Sequence, residues 1–446
     1  MKKILCAVTL ILFTAVSYSY PVIEDELPPA VSLSAASSTD YTVIPYNYQQ
    51  VTRASRLEIR TMLWPLALIK DPNKKLQFMS RYFANRPYAT SGALGEGNWC
   101  KAGEQGCVHI QQDPIYRTDA LNCFSMMQMM LPLLHAKNIN DYENIILQFA
   151  YGAAGEGPDS IAYYNRDNFV SGDFNPLTEQ QGLLSDVTDQ GIFAQYIKNT
   201  NALIDRQRWF SFQEKPTVIA NNVRVINAAD GAAMYQRFVN NYPAQYHLFK
   251  PAEVSITYIP KEVLVTPILN PDNKTFSYVP NEALINQMPV PSVVEIVRDA
   301  SKWNINGVNI ADIIGTQLNV SHVGLLYRQQ FAYNQVIYQD TVCSLNNNVK
   351  SCIVKPIPCT HPEGCLKTMF LDSTDVYPSG YYFYQSPAHS GHYVCTATPP
   401  AAGASSTTCN RVTALPLGDY LATYQYGSYI FMTSPSIVGI HVERIN

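Results

Sequence analysis

Cys123 is the residue of this sequence best placed for covalent chemistry. It stands in "RTDALNCFSMMQMML", where a polar segment gives way to an apolar run containing Phe124, Met126, Met127, Met129, Met130, Leu131 and Leu133. The stretch from Asn122 to Lys137 is long enough for a helix buried on most sides. A thiol at the start of such a helix faces unpaired N–H groups and the positive end of the helix dipole, and both favour thiolate over thiol. Asp119 or Asn122 is placed to cap the same helix end. The competing reading is a structural cysteine, because free Cys is among the most buried residue types. The distribution of cysteines favours the nucleophile. Of ten in the chain, Cys6 falls in the N-terminal apolar run, and eight fall in local pairs: Cys100 with Cys107, Cys343 with Cys352, Cys359 with Cys365, and Cys395 with Cys409. Cys123 is the odd one out.

A nucleophilic thiol needs a base within hydrogen-bond reach, and histidine suits that task because its pKa lies near neutrality. Among eight histidines, His322 in "LNVSHVGLLY" stands at the start of an apolar strand, which would hold its ring rigid and leave it accessible at one end. His109 lies between the first cysteine pair and the helix, His135 inside the apolar helix, and His361, His389 and His392 in or beside the cysteine-rich region. A third polar residue usually orients the imidazole through its other nitrogen. The following strand, "NQVIYQDTV", offers Gln339 and Asp340, which point to opposite faces, so one of the two can meet His322.

The elements that must position these residues are legible in outline. Lys2 and Lys3, the apolar run from Ile4 to Val16 and the small residues before Pro21 have the layout of a secretory signal peptide over residues 1–19. That run is too short to cross a bilayer, and no later stretch is apolar enough to do so. The pattern implies a periplasmic or secreted, disulfide-permissive location. Residues 20–55 are rich in Pro, Ser, Ala and Thr and read as a leader. Residues 56–85 show helical spacing through Leu57, Ile59, Met62, Leu63, Leu66 and Ile69. "VSITYIPKEVL", "SHVGLLY" and "NQVIYQDTV" read as strands. Residues 343–410 hold six cysteines and read as a disulfide-stapled insertion, after which 411–446 return to strand character and complete the main unit, 56–342. A formal net charge of −4, with no block of one sign, gives no source of attraction to nucleic acid or anionic lipid.

On these residues the chain resembles the N-acetylmuramoyl-L-alanine amidase-like branch of the NlpC-type, papain-like cysteine hydrolases of bacterial cell walls. "FANRPYATSGALGEG", with Pro87, Tyr88, Leu94 and Glu96, is similar to the family's Gly-x-Pro-Tyr and Gly-x-Leu-Glu stretch. "YRTDALNCFSMMQMML" is similar to its Asp-Cys-x-Thr-Phe-Val-Glu block, with Asn122 in place of Asp and Ser125 near the Thr. "YYNRDNFVSGDFNPLTEQQGLLSDVT" resembles the Arg-x-His-Tyr segment, keeping Arg166 but carrying Asn168 and Phe169. "ITYIPK" and "GVNIADIIGTQLNVSHVGLLY" resemble the family's Tyr-Ile-Pro-Lys and His-bearing strands, with Ala311 for Gly before Asp312.

The resemblance implies an α+β fold in which a nucleophile helix packs on an antiparallel sheet, interrupted by the disulfide-rich insertion. It places Cys123 on the catalytic cysteine, His322 on the catalytic histidine and Gln339 on the third position. Tyr88, Glu96 and Arg166 become the substrate contacts. A glutamine there accepts the imidazole N–H through its carbonyl, so the triad logic survives the change. The implied substrate is peptidoglycan or a muropeptide, cut at an amide bond, with no cofactor. Spacings in the cysteine-rich region lack a paired C-x-x-C, so disulfides are favoured over zinc there.

Overall fold

Antiparallel pairing organises the chain. The computed structural model describes residues 48–84, 86, 116–119, 121–151, 166–213, 239–240, 250–271, 276–305, 308–346, 349–374, 411–422 and 430–446. Helices lead the chain: α1 (Tyr48–Leu68), α2 (Pro72–Tyr82), α3 (Cys123–His135), α4 (Ile139–Tyr151) and α5 (Asn175–Gln180), with α6 (Arg206–Gln213) following the first two strands. The strands are β1 (Leu184–Asp186), β2 (Lys198–Ile204), β3 (Ala252–Pro260), β4 (Val265–Leu269), β5 (Phe276–Pro280), β6 (Ser292–Arg298), β7 (Asn304–Ile305), β8 (Val308–Asn309), β9 (Val320–Phe331), β10 (Val336–Asn346), β11 (Val349–Pro358), β12 (Cys365–Thr374), β13 (Arg411–Pro416) and β14 (Ile437–Ile445). The main sheet runs β13-β12-β9-β6-β14-β3-β2, antiparallel throughout, and β1 pairs with β14. The fold is therefore α+β on an antiparallel sheet.

Local chemistry sets the helix ends. Asn122 caps α3 in a reciprocal box: its side chain accepts from the Ser125 N–H at 2.7 Å, and the Ser125 hydroxyl accepts from the Asn122 N–H at 2.9 Å. Eleven of the thirteen residues of α3 are buried, which makes it an interior helix rather than a half-exposed one. Its Met126, Met129, Met130 and Leu133 join Val293, Val297, Val323 and Leu325 of the sheet in one core cluster. Each such side chain contributes roughly 1.5–3 kcal/mol on leaving water. Val294, Ile296, Leu326, Phe370, Ile440 and Val442 alternate with these strand residues and build a second cluster.

Three sequence expectations change. The helix expected over 56–85 is two helices, because Asp71 accepts from the Asn73 N–H and Pro72 sits at the first helical position, starting a new helix. Leu57 consequently faces solvent, whereas Ile59, Met62, Leu63 and Leu66 are buried. The leader expected to end at 55 overlaps α1, which begins at Tyr48. Residues 343–410 do not stand apart as a stapled insertion either: β12 lies within them and is an inner strand of the main sheet, paired to β9 on one side and β13 on the other. The β10–β11 hairpin is what leaves the sheet. Cys359 and Cys365 are disulfide-bonded, closing the turn that brings the chain back to β12. Cys343 and Cys352 are register partners on the hairpin. The pairs Cys100–Cys107 and Cys395–Cys409 lie outside the described residues.

Gly439 marks the tightest approach in the sheet. A Cβ added there would drive into the backbone carbonyl of Ile259, where β14 meets β3. Gly439→Ala is expected to destabilise the fold by about 2–3 kcal/mol, since backbone cannot yield as a side chain does. Urea unfolding of the two chains checks this, and an unchanged midpoint would show that the approach is looser than described.

Candidate active site

Cys123 is the first residue of α3, 6% exposed, and is a free cysteine. Its side chain lies close enough to His322, near the start of β9, to act on the charge of the imidazole. On the far side of the imidazole, Nε2 lies 3.0 Å from Oδ2 of Asp372 on β12. Both residues are nearly out of solvent, the His322 side chain at 11% exposure and Asp372 at 3%. With Nε2 engaged by the carboxylate, Nδ1 is the nitrogen left for the thiol. Burial works to lower the His322 pKa, but the charge of Cys123 and the hydrogen bonds to Asp372 and Cys123 outweigh it and push the imidazole up to about 10. The geometry thus favours a proton on the imidazole between a sulfur and a carboxylate, which is the charge state a nucleophilic thiolate requires.

The surroundings hold this row in place. Ser373, next to Asp372 on β12, donates to the Leu121 carbonyl at 2.6 Å, pinning the approach to α3 against the strand that carries the carboxylate. The His322 ring stacks on Tyr420 at 6.3 Å and meets the edge of Phe370 at 6.1 Å, so both rings limit its rotation. Gly324, two residues on from His322, leaves the room Phe370 occupies: a Cβ there would strike that ring and the Leu371 carbonyl.

The partner on the far side of His322 differs from the sequence expectation. Gln339 and Asp340 fall on β10, where they are register partners of Pro356 and Lys355 in the hairpin, and their side chains lie outside the described residues. The strand beside β9 in the main sheet is β12, and its Asp372 is the residue that meets the far side of the ring. Sequence reasoning missed Asp372 and Tyr420. The signal for Asp372 was present in "TMFLDST", a polar residue closing an apolar alternation, but it lay inside the region read as an insertion. Arg166, expected to touch substrate, is 4% exposed and points inward. It donates to Gln128 Oε1 of α3 at 2.6 Å and to the Tyr151 hydroxyl at 3.3 Å. That pairing ties α3 to the end of α4. Tyr88 and Glu96 lie outside the described residues.

Comparison with known proteins places the chain. Residues 78–353 match the AmiA-like family, described as N-acetylmuramoyl-L-alanine amidase-like. The chain belongs to that family. Family membership makes it an amidase-like, hydrolase-type protein whose substrate class is related to peptidoglycan. A search of curated proteins gives no match. Among solved structures, a protein of Legionella pneumophila is similar over 90% of this chain and 97% of its own, at 20% identity and a TM-score of 0.55, which shows a shared fold. An N-acetylmuramoyl-L-alanine amidase of Bacteroides uniformis aligns over 84% of this chain and 99% of its own, at 12% identity and a TM-score of 0.38. The family match ends before Asp372 and Tyr420, so these two residues come from the geometry alone.

The raised pKa of His322 has a defined sign. Its folded value of about 10 lies above the ordinary 6.5, so the protonated ring stabilises the folded chain fully below about pH 6.5, and that contribution is lost as pH rises through about 10. In a histidine NMR titration, His322 is expected to stay imidazolium through neutrality, and Asp372→Asn is expected to move its midpoint to lower pH. A wild-type midpoint at the ordinary value would contradict the arrangement.

Proposed function

We propose that this chain is an exported cysteine hydrolase of the papain-like, NlpC type that cleaves peptidoglycan amides, with the bond between N-acetylmuramic acid and L-alanine as its target. The observation that carries this reading is the row of Cys123, His322 and Asp372 at the N-terminus of a buried helix, its imidazole hydrogen-bonded to the carboxylate. The signal-peptide layout of residues 1–19 supports action in the periplasm or outside the cell.

The steps follow from the positions. The Cys123 thiolate attacks the lactyl carbonyl, forming the C–S bond while the carbonyl π electrons move onto oxygen. Unpaired N–H groups in the first turn of α3, that of Cys123 among them, face the developing oxyanion and stabilise it. His322 then gives its proton to the departing alanine nitrogen, the C–N bond breaks, and an acyl-thioester remains. Water attacks that thioester with His322 as base, releasing the carboxylic acid and regenerating thiolate and imidazolium. Asp372 keeps the ring oriented and balances its charge throughout.

Cys123→Ala is expected to reduce release of stem peptides from purified sacculi by at least ~10³-fold, and Asp372→Asn to reduce it by a smaller factor, as loss of a nucleophile costs more than loss of its orienting partner. Muropeptide mass spectrometry reads the bond cut, since an amidase frees intact stem peptides from the sugar. Undiminished release by the Cys123→Ala chain would end the cysteine mechanism, and fragments cleaved within the stem would reassign the bond.

A further inference from the structure

A second polar cluster lies on the face of the same sheet opposite the His322 ring. His441 and Glu443 sit two residues apart on β14, on one face. Glu295 of β6 is the register partner of His441, and Asp186 of β1 is the register partner of Glu443. Glu295 precedes Ile296, the partner of His322, so its side chain leaves the sheet on the face opposite the His322 ring, the face that Val293 and Val297 present to α3. Glu295 and Glu443 are fully buried and His441 is 4% exposed.

Isolated carboxylates do not sit in a protein interior without compensation. Here the described compensation is thin. Neither oxygen of Glu295 completes a hydrogen bond of normal geometry, although the Asn175 side chain lies close enough to steady its charge. Oε2 of Glu443 is likewise unpartnered, and its ion-pair partner is His441. The imidazole is oriented by what it can donate. Nδ1 lies 2.8 Å from the Thr257 carbonyl, which only accepts, and 2.9 Å from the Thr188 hydroxyl, which can do either, so a hydrogen on Nδ1 is the arrangement that suits both. That leaves Nε2 aimed at Glu443 Oε1 at 3.2 Å and Asp186 Oδ1 at 3.8 Å. A histidine whose Nδ1–H is held by a backbone carbonyl while Nε2 faces carboxylates is the usual outer-shell geometry of a metal-bound imidazole.

We infer that Glu295, His441 and Glu443 form a binding site for a divalent first-row transition ion. Their ligand atoms lie within 4.8 Å of one another. The 3.2 Å between His441 Nε2 and Glu443 Oε1 is close to the about 3.4 Å separating two ligands of a tetrahedral zinc. One imidazole with two carboxylates suits zinc or manganese better than calcium or magnesium, which take oxygen ligands. Asp186, with 31% of its side chain exposed, opens the cluster toward solvent and offers a fourth ligand or a path of entry. Glu179 of α5 lies close to Glu443 at the same mouth. The ion would tie β6 to the C-terminal strand β14. This inference does not rest on the hydrolase reading.

The test uses the full-length chain carrying Cys123→Ala, so that zinc cannot be taken up by the other thiol and imidazole, after removal of metal with EDTA. Titration with zinc chloride, and separately with manganese chloride, is followed by calorimetry and by elemental analysis of the dialysed protein. One equivalent of either ion is expected to bind and to raise the unfolding temperature by a few degrees. Glu295→Gln or Glu443→Gln, each isosteric, is expected to weaken binding by at least ~10–100-fold. Failure of the parent chain to take up either ion, or equal uptake by the variants, would overturn the site. Should the variants not fold, anomalous scattering from zinc-soaked crystals of the parent decides: a peak between the three side chains supports the inference, and a peak elsewhere, or none, refutes it.

Discussion

A buried imidazole must satisfy both of its nitrogens, and in this protein that requirement fixes where three separate segments can lie. Nε2 of His322 is held by Asp372, and the remaining nitrogen meets Cys123. For all three to converge, α3 must begin against the sheet, β9 must carry the ring, and β12 must lie next to β9. The Ser373 to Leu121 hydrogen bond joins the two outer segments directly, so the thiol and the carboxylate are positioned by one contact as well as by the ring between them. Breaking any part leaves a polar group buried without its partner, which costs more than the contact itself contributes.

The constraint explains why so much of α3 is apolar. Apart from its first turn, Gln128, Pro132 and His135, the helix is packed with Met and Leu, and Gln128 is used to receive Arg166. An interior helix with one reactive end keeps water away from most of its length while its N-terminus stays at the site. Methionine side chains fill irregular space between strands and helices without demanding one shape. The Asn122–Ser125 box satisfies the terminal N–H groups that do not belong to the chemistry.

Local signals were legible and non-local ones were not. Cys123 was marked by its unpaired status and by the boundary between polar and apolar sequence, and His322 by its place at the start of an apolar strand. Both depend on neighbours within a few residues. Asp372 depends on β12 lying beside β9, and strand order is not written in either segment. The expectation that the strand after β9 would be its neighbour is reasonable in an antiparallel fold, because consecutive strands usually pair. Here the β10–β11 hairpin intervenes, and the chain returns through the Cys359–Cys365 turn before pairing. High cysteine content concealed an inner strand, since the same composition marks both a stapled loop and a stapled return. Arg166 shows a related limit: a motif located the residue but could not show that its guanidinium turns inward to Gln128 and Tyr151.

The two buried histidines of the sheet face opposite electrostatic problems. His322 stands between one sulfur and one carboxylate, so a single proton can be shared along the row and handed to a third party without leaving a net charge stranded. His441 is held through Nδ1 by a carbonyl that cannot release its role, and its other nitrogen looks into two fully buried carboxylates and a partly exposed one. Such a ring is poorly placed to relay a proton from one side to the other, because the carbonyl beside Nδ1 cannot take one up. What it can do is lend a lone pair or keep a second proton, and either serves to neutralise charge in place. The same side chain on two strands of one sheet, with β6 between them, is therefore suited to transfer on one face and to fixation on the other. The difference lies in whether the second nitrogen meets a group that can change its protonation or a backbone carbonyl that cannot.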